Sequence, residues 1–393
     1  MKYCVVILDG ASGWPLVELG GRTTLAAAYT PNLDALATSG TLGLARTVPD
    51  GMEPSSSAAC TSILGYDPVA DYVGRGAIEA ASLGIELGPD DVALRCNLVS
   101  IVDGRMASYA AGHITSQESQ AIVGELAAVL DDETYRLYPG VAYRHVLVVR
   151  GHPELLGLAY TPPHDIPDRE VAPHIPKGEG ADVLLEYMER ARPLLASSWV
   201  NRAREDGGKL PASDVWPFWP GVTPRGMTPF ERRRGVSAAL TSGVDLLNGL
   251  AVLAGIDRLV IPGVSDGPDN DYVAQAIGAL KALDDHDLVV IHVESPDEAG
   301  HGGDAEAKIA AIEAIDREIV SRVRGYGDAL RVLAMPDHPT PIALKTHVGE
   351  PVPFVLAGPG IECNGGAGYD EVRAADTRYV LDPGRQVMDL LFA

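Results

Sequence analysis

Apolar runs rich in β-branched residues recur along the chain, and each of them stops at Asp, Gly or Pro. Four such runs cover residues 3–10, 257–263, 287–297 and 330–338, and a fifth at 352–360 has the same pattern. A run of this kind is typical of a strand that is buried on both faces of a parallel sheet. We therefore predict a strand in each of the five.

Between these runs, apolar residues recur at spacings of three and four, which is the period of a helix with one buried face. The clearest examples cover residues 271–283 and 305–323. Strands that alternate with such helices predict an α/β fold, in which a mainly parallel sheet is flanked by helices.

The middle of the chain differs in its predicted elements and in its proline content. It contains strand patterns at residues 91–102 and 143–151 and a helix pattern at 116–130. Two stretches rich in proline, at 160–180 and 213–230, are predicted to be long loops, which in compact domains are usually functional or lie at a domain junction.

The first predicted strand is separated from the next strand of its sheet by more than two hundred residues. This distance predicts that a second unit is inserted into the sheet domain. We place a smaller α/β domain at residues 79–241, inserted into a larger domain formed by residues 1–78 and 242–393.

Composition and charge restrict the classes of partner. The chain has 393 residues, of which 46% are hydrophobic and 22% charged, as in ordinary globular proteins of two domains. Its net charge of −23 argues against nucleic acid or an anionic membrane surface as a general partner. No apolar stretch is long enough for a membrane span, and the start of the chain does not have the pattern of a signal sequence.

The four cysteines are widely separated and form no CxxC motif, so neither a disulfide framework nor a thiolate zinc site is indicated. This pattern fits a reducing cytoplasm. The oligomeric state stays open, a homo-oligomer included.

Acidic and imidazole side chains follow several predicted strands. Each one alone is explained equally well as a helix cap or a partner of loop amides. Together they would converge, because parallel strands present their carboxyl ends at one edge of the sheet. Three Asp and three His with nitrogen and oxygen ligands can hold two divalent cations: Asp9, Asp297, His301, Asp337, His338 and His347.

Three serines, Ser55 to Ser57, open an alanine-rich segment with a helical pattern. The amides and dipole of a helix N-terminus favour a phosphate group, and a serine hydroxyl next to cations is an activated nucleophile. A paired-cation site of this kind suits phosphoryl transfer. The alternative is that the serines only cap the helix.

Several motifs in this order resemble the cofactor-independent phosphoglycerate mutases of the archaeal-type branch. They include ILDG at the start, GYDP with GRGAIEAASLGIEL, RCN, AGHI, YRH, PPHD, PDEAGH and DHPTP. The resemblance covers nearly the whole chain. It implies an alkaline-phosphatase-like metal domain with an inserted substrate domain that closes as a lid.

By this resemblance, one cation is held by Asp297, His301 and His347. The other is held by Asp9, Asp337, His338 and the nucleophile Ser56. The resemblance implies two divalent ions, which can be manganese, magnesium, zinc or cobalt, and no bisphosphoglycerate. The chain departs from the family pattern beside the nucleophile, where the family has Gly before the serine and Asp after it.

The resemblance also implies substrate contacts in the inserted domain. They are Arg75, Arg95, Asn97, His113, Arg144, His164, Asp165 and Arg204. Arg95 is the clearest of them from the residues alone, because a charged side chain in an apolar strand must be paired or face a ligand. At residues 110–113 the chain reads AAGH where archaeal members often read RAGR, so two arginine positions are missing.

The activity implied is the interconversion of 3-phosphoglycerate and 2-phosphoglycerate, a small phosphorylated three-carbon acid, through a phosphoserine intermediate. Two alternatives stay open. One is a phosphomonoesterase or another phosphomutase with the same metal edge, since a fold does not fix a substrate. The other is a binding homologue with impaired catalysis, which the altered serine segment would favour.

Overall fold

The computed structural model describes residues 1–71, 73–223, 227–327 and 329–393. The chain forms two compact units. The first comprises Met1–Tyr72 and Arg225–Ala393, and the second comprises Val73–Pro224.

The strands are numbered along the chain. They are β1 (Lys2–Leu8), β2 (Thr41–Ala45), β3 (Asp91–Val102), β4 (Arg105–Ser108), β5 (Tyr135–Tyr138), β6 (Arg144–Arg150), β7 (Asp214–Val222), β8 (Ala238–Thr241), β9 (Asp257–Arg258), β10 (Leu288–Val293), β11 (Leu330–Met335), β12 (Val352–Ala357) and β13 (Val380–Leu381).

The α-helices are numbered in the same way. They are α1 (Thr24–Ala27), α2 (Pro31–Ser39), α3 (Ser56–Ile63), α4 (Arg75–Ser82), α5 (Ser116–Leu130), α6 (Ala181–Ser197), α7 (Trp199–Asp206), α8 (Phe230–Arg234), α9 (Asp245–Leu253), α10 (Tyr272–Ala282), α11 (Ser295–Gly302), α12 (Ala305–Ala314), α13 (Ser321–Arg324), α14 (Glu371–Asp376) and α15 (Gln386–Phe392). A π-helical turn, Ile315–Val320, joins α12 to α13.

A sheet with the strand order β13-β2-β12-β11-β1-β10-β8-β9 forms the centre of the first unit. Its pairs are parallel except for those of β12, which runs antiparallel to both β11 and β2. The predicted fold class, a mainly parallel sheet flanked by helices, is confirmed. The antiparallel direction of β12 was not predicted, because an apolar run has the same composition in either direction.

One strand prediction of the first unit needs correction, and β13, like the two strands named below, was not predicted. The predicted strand at 257–263 is reduced to the two residues of β9, which are exposed at the end of the sheet. Conversely, β2 and β8 were not predicted, because each is a short run without a distinctive pattern. β8 pairs with β10 and belongs to the first unit, so this unit resumes before the predicted boundary at residue 242.

The second unit is built on an antiparallel sheet in which the long strand β3 pairs with β4, β6 and β7. Helices α5 and α6 contribute apolar residues to its core, with Leu126 and Leu184 among them. The stretch 213–230 was predicted to be a loop, but half of it forms β7. Its prolines are tolerated because, among the described residues, β7 pairs with β3 alone and is therefore an edge strand.

A search of the described residues finds no helix that is both long and apolar enough to cross a membrane.

His145 of β6 makes the stability of the second unit depend on pH. It is 1% exposed, its Nδ1 accepts a hydrogen bond from Gly140 N at 3.0 Å, and burial lowers its pKa from 6.5 to about 3. Below pH 6.5 the unfolded chain binds a proton that the folded chain does not bind. Stability therefore falls as the pH falls through this window, by up to about 1.4 kcal/mol per pH unit.

We predict that His145→Gln, which can still accept from Gly140 N, flattens the loss of stability between pH 6 and pH 4. The measurement is the free energy of unfolding in urea at several pH values. The control is His152→Gln, since His152 is half-exposed and pairs with Glu154. An unchanged slope in His145→Gln would contradict the prediction.

Candidate active site

Parallel strands bring acidic residues together at one edge of the sheet in the first unit. β1 lies between β10 and β11, and Leu8 of β1 is paired with Val293 of β10. Asp9 directly follows β1, and Asp337 lies just beyond β11. Asp297 is the third residue of α11, the helix that follows β10. The end of β1 therefore lies between the other two acidic segments.

Asp9 and Asp337 are fully buried beside His338. His338 Nε2 lies 3.2 Å from Asp337 Oδ2 and 3.6 Å from Asp9 Oδ1. Burial, followed by the charges of Asp337 and Asp297, raises the pKa of Asp9 well above its ordinary value. Burial also disfavours the charged form of His338 and so lowers its pKa, which favours the neutral imidazole that can bind a cation.

Asp297, His301 and His347 form a second group at the same edge. His301 Nε2 lies 3.1 Å from Asp297 Oδ2 and 2.9 Å from His347 Nε2, and His347 Nε2 lies 3.5 Å from Asp297 Oδ2. Burial alone would raise the pKa of Asp297, but the hydrogen bonds with the two imidazoles lower it well below its ordinary value. The bond to Asp297 raises the pKa of His301 to about 9.

A glycine after Asp9 is a geometric requirement of this cluster. Gly10 has φ +59°, and a Cβ at this position would lie 2.3 Å from Asp297 Oδ1. Its amide donates a hydrogen bond to Asp337 Oδ1 at 3.0 Å. Gly10 therefore lets the chain pass close to one carboxylate while it orients another.

The three serines lie at the start of α3 and have different partners. Ser55 is the N-cap, and its Oγ accepts from Ala58 N at 3.4 Å. Ser57 Oγ lies 3.0 Å from Ser55 Oγ. Ser56 Oγ lies 3.1 Å from His338 Nε2. The geometry thus favours Ser56 over its two neighbours as the hydroxyl at the acidic cluster.

Three groups of side chains have ligand atoms within 4.8 Å of one another and could each hold a metal ion. They are Asp297–His338–His347, Asp9–Asp337–His338 and Asp9–His292–Glu294. Carboxylates and imidazoles are the ligands of manganese, zinc or magnesium. Within the described chain, the buried Asp9 Oδ1 has no hydrogen-bond partner, as expected of an oxygen that binds a cation. The residues present fit divalent metal ions.

Sequence reasoning missed His292 and Glu294. His292 Nε2 lies 2.7 Å from Asp9 Oδ2, and its Nδ1 lies 2.9 Å from Ser242 Oγ. Burial and the charge of Asp9 raise the pKa of Glu294 well above its ordinary value. The signal was present, because His292 interrupts an apolar strand and a polar residue there must have a partner.

Lys308 is another residue that the sequence analysis did not single out. Its side chain is fully buried, and Nζ donates to Ser12 O at 3.0 Å and to Thr340 O at 2.8 Å. The Thr340 hydroxyl donates in turn to Asp297 Oδ1. Lys308, which lies on the buried side of α12 with Ala311 and Ile312, therefore links two loops of the metal-capable cluster.

In the second unit, arginines gather around Glu79. Arg95 Nη1 and Arg75 Nε each donate to Glu79 Oε1 at 3.0 Å, and Arg95 Nε donates to Asn97 Oδ1 at 3.3 Å. Burial lowers the pKa of Arg95 to about 10. One carboxylate between two guanidinium groups leaves an excess of positive charge, so the group favours an anion.

Further predicted substrate residues lie near this group. Asn97 is 1% exposed, and within the described chain its Nδ2 has no partner. The charge of Arg144 contributes to lowering the pKa of Arg95, which indicates that they are close. Burial lowers the pKa of His164; Asp165, 3.9 Å away, opposes this, and Arg95 adds to it.

Arg204 and His113 have different surroundings. The Arg204 side chain is 1% exposed and donates to Glu118 Oε2 at 2.7 Å, and also to Leu210 O and Ala111 O. His113 is exposed and has φ 54°. Within the described parts of the chain, no contact joins either side chain to the cluster around Glu79. Their role as substrate contacts stays a prediction.

A mainly parallel sheet whose strand ends carry metal-capable groups and a serine is typical of metal-dependent phosphoryl-transfer enzymes. The family model for 2,3-bisphosphoglycerate-independent phosphoglycerate mutase matches residues 37–201. A protein of that name from Methanothrix thermoacetophila is 44% identical over 397 residues, covering 100% of both chains. A protein of Geobacter sulfurreducens, described as probably the same mutase, is 44% identical over 100% of this chain and 99% of its own.

Two solved structures are also similar. The PH0037 protein of Pyrococcus horikoshii has a TM-score of 0.84 and 27% identity, covering 99% of this chain and 97% of that one. The cofactor-independent phosphoglycerate mutase of Thermoplasma acidophilum has a TM-score of 0.69 and 28% identity, covering 100% and 99%. The chain belongs to the 2,3-bisphosphoglycerate-independent phosphoglycerate mutases, which confirms the predicted family and the predicted enzyme class, an isomerase.

His292 is expected to orient Asp9 for a cation. With Asp9 ionised, as a cation ligand must be, its Oδ2 can only accept, so His292 Nε2 donates to it and His292 Nδ1 accepts from Ser242 Oγ. We predict that His292→Gln lowers the affinity for Mn²⁺ by about 10- to 100-fold, measured by calorimetric titration. The control is His286→Gln, which alters a surface pair with Asp257. Equal affinity in His292→Gln and wild type would contradict this role.

Arg204 is expected to stabilise the second unit. We predict that Arg204→Ala lowers the free energy of unfolding by about 2–3 kcal/mol, because it leaves the carbonyls of Leu210 and Ala111 without this donor and removes the ion pair with Glu118. The control is Arg202→Ala in the same helix, where the side chain is exposed and the change should stay within about 0.5 kcal/mol. If Arg204→Ala keeps its stability but loses substrate affinity, Arg204 is a substrate contact instead.

Proposed function

We propose that this chain interconverts 3-phosphoglycerate and 2-phosphoglycerate by moving the phosphoryl group to Ser56 and back. The observation that carries the proposal is the position of Ser56 Oγ, 3.1 Å from His338 Nε2 in the metal-capable cluster. The chemistry requires a hydroxyl beside cations, because phosphoryl transfer needs charge neutralisation and an activated oxygen.

We assign one cation to Asp297, His301 and His347, and a second to Asp9, Asp337 and His338 with Ser56. His338 lies in two of the three-residue groups and could serve either. Divalent ions here would neutralise the charge of the phosphate and favour the deprotonated form of a serine hydroxyl. Manganese, magnesium, zinc and cobalt all accept this set of ligands, and bisphosphoglycerate has no part in the proposed reaction.

The protein's own groups have distinct proposed roles. Ser56 Oγ loses its proton and attacks the phosphorus atom, the bond to the glycerate oxygen breaks, and that oxygen takes up a proton; in the return transfer the attacking glycerate hydroxyl loses a proton and the Ser56 oxygen takes one up. The amides of Ser56 and Ser57 at the start of α3, which has Ser55 as its N-cap, would stabilise the charge of the phosphoryl oxygens. The glycerate then offers its other hydroxyl, which takes the phosphoryl group from Ser56 and releases the serine.

We propose that the cluster around Glu79 binds the anionic groups of the substrate. Arg75, Arg95, Arg144 and Asn97 would supply the donors, and the unpaired Asn97 Nδ2 supports this role. His164, whose pKa is lowered by burial, is a suitable acceptor for the hydroxyl proton, with Asp165 beside it. His113 and Arg204 are the weaker members of the set.

We propose that this enzyme works in the cytoplasm. Its four cysteines are free thiols, and three of them are buried. This supports a reducing compartment.

The rival functions differ in where the phosphoryl group goes. We expect the Mn²⁺-loaded protein to convert 3-phosphoglycerate to 2-phosphoglycerate without bisphosphoglycerate, as followed by phosphorus NMR. Release of free phosphate without isomerisation would instead identify a phosphomonoesterase. Binding of substrate with neither product would identify a homologue that has lost catalysis.

We predict that Ser56→Ala lowers kcat at least about a thousandfold, since it removes the group that receives the phosphoryl. Ser57→Ala is the matched control, because Ser57 Oγ bonds Ser55 rather than the metal-capable cluster. Removal of metal by a chelator should abolish activity in wild type, and added Mn²⁺ should restore it. A Ser57→Ala defect as large as that of Ser56→Ala would overturn the assignment.

A further inference from the structure

An irregularity in β7 lies opposite Arg95. In the pairing of β3 with β7, Leu94 is opposite Pro220 and Arg95 is opposite Phe218. Trp219 is therefore an extra residue that has no partner on β3, which defines a β-bulge. Bulges redirect a side chain away from the regular alternation of a strand and are frequent next to active sites.

The backbone at Trp219 is strained. Its φ is +50°, a left-handed conformation that is rare for a large aromatic residue. Such strain persists only where the surrounding structure enforces it, and it is concentrated at functional sites. A glycine or asparagine would adopt this conformation more easily, so the conformation alone does not explain a tryptophan.

The indole of Trp219 supports the arginine cluster. The Arg75 guanidinium lies 4.3 Å from the centre of the Trp219 ring, and that of Arg95 lies 5.6 Å away. The imidazole of His164 lies 5.4 Å from the indole in an edge-to-face arrangement. The 4.3 Å distance is well within the range of a cation–π contact.

The contact with the indole leaves N–H donors of Arg75 and Arg95 available for a ligand. Arg75 uses Nε for Glu79, and Arg95 uses Nε and Nη1 for Asn97 and Glu79. Within the described residues, no hydrogen bond comes from either terminal nitrogen of Arg75 or from Arg95 Nη2. Because the indole face holds a guanidinium without occupying its N–H groups, these donors stay free for an anion.

We propose that Trp219 is a positioning residue for anion recognition. Its bulge places the indole where it holds the guanidinium groups of Arg75 and Arg95 in orientation for a phosphate or carboxylate group of the substrate. The inference rests on the proposed function for the identity of that substrate. The contrast with Trp216 is informative, since Trp216 of the same strand is buried in the core and donates to Thr161 O.

The test uses Trp219→Asn, which suits the left-handed backbone but removes the ring. Trp219→Phe keeps a ring with a weaker cation–π contact and serves as a second variant if the first does not fold. The control is Trp199→Asn, because Trp199 of α7 is 60% exposed and has no contact with the arginine cluster among the described residues. All proteins are loaded with Mn²⁺.

Three quantities are measured: KM and kcat for 3-phosphoglycerate, and its dissociation constant by calorimetry, which does not require turnover. We expect Trp219→Asn to raise KM and the dissociation constant about tenfold, Trp219→Phe to raise them less, and kcat to change by less than about threefold. Mn²⁺ affinity should be unchanged in all variants.

The outcomes separate this inference from the proposed function. If wild type binds 3-phosphoglycerate without isomerising it, and Trp219→Asn weakens that binding, the positioning role stands and the mutase proposal falls. If Trp219→Asn and Trp219→Phe bind and turn over substrate as wild type does, the positioning role is overturned. If wild type does not bind 3-phosphoglycerate at all, both fall.

Discussion

The metal-capable cluster of the first unit rests on one constraint: the sheet holds several carboxylates together against their mutual repulsion. Asp9, Asp337, Asp297 and Glu294 lie close to one another with little exposure to water, and burial and mutual repulsion raise the pKa of Asp9 and Glu294. Three parallel strands create this arrangement, since their carboxyl ends meet at one edge. Cations would relieve the repulsion. The same unfavourable charge in the free protein is therefore what would make the site bind metal ions.

The second unit contains a cluster of the opposite charge. Its guanidinium groups repel one another around a single carboxylate, Glu79, and burial makes the charge of Arg95 still more costly. Aromatic rings supply part of the compensation, because they attract cations without using their hydrogen-bond donors. The chain as a whole has a net charge of −23, so this local excess of positive charge is the feature that would attract a phosphorylated acid.

The residues that position the candidate metal ligands are as important as the ligands themselves. The buried side chain of Lys308 joins two loops, His292 links Asp9 to Ser242, and Gly10 allows close approach of the chain to Asp297. Lys308 and His292 lie outside the motifs that carry the family resemblance, whereas Gly10 is the last residue of the ILDG motif. Each has its effect because a buried polar group must be paired and because only glycine fits one crowded left-handed position.

The sequence by itself determined the periodic elements, the α/β class and the acidic and imidazole residues at the strand ends, because these depend on local composition and on the fixed polarity of parallel sheets. Its motifs also determined the family. Only the tertiary structure decided the direction of β12 and the strand β7 inside a proline-rich stretch, and it brought Ser56, which the resemblance had named, within 3.1 Å of His338. It also decided that Arg204 pairs with Glu118 while Trp219 stacks on Arg75. The reason is that strand pairing and side-chain contacts join residues far apart in the chain, and no local pattern encodes which partner each one meets.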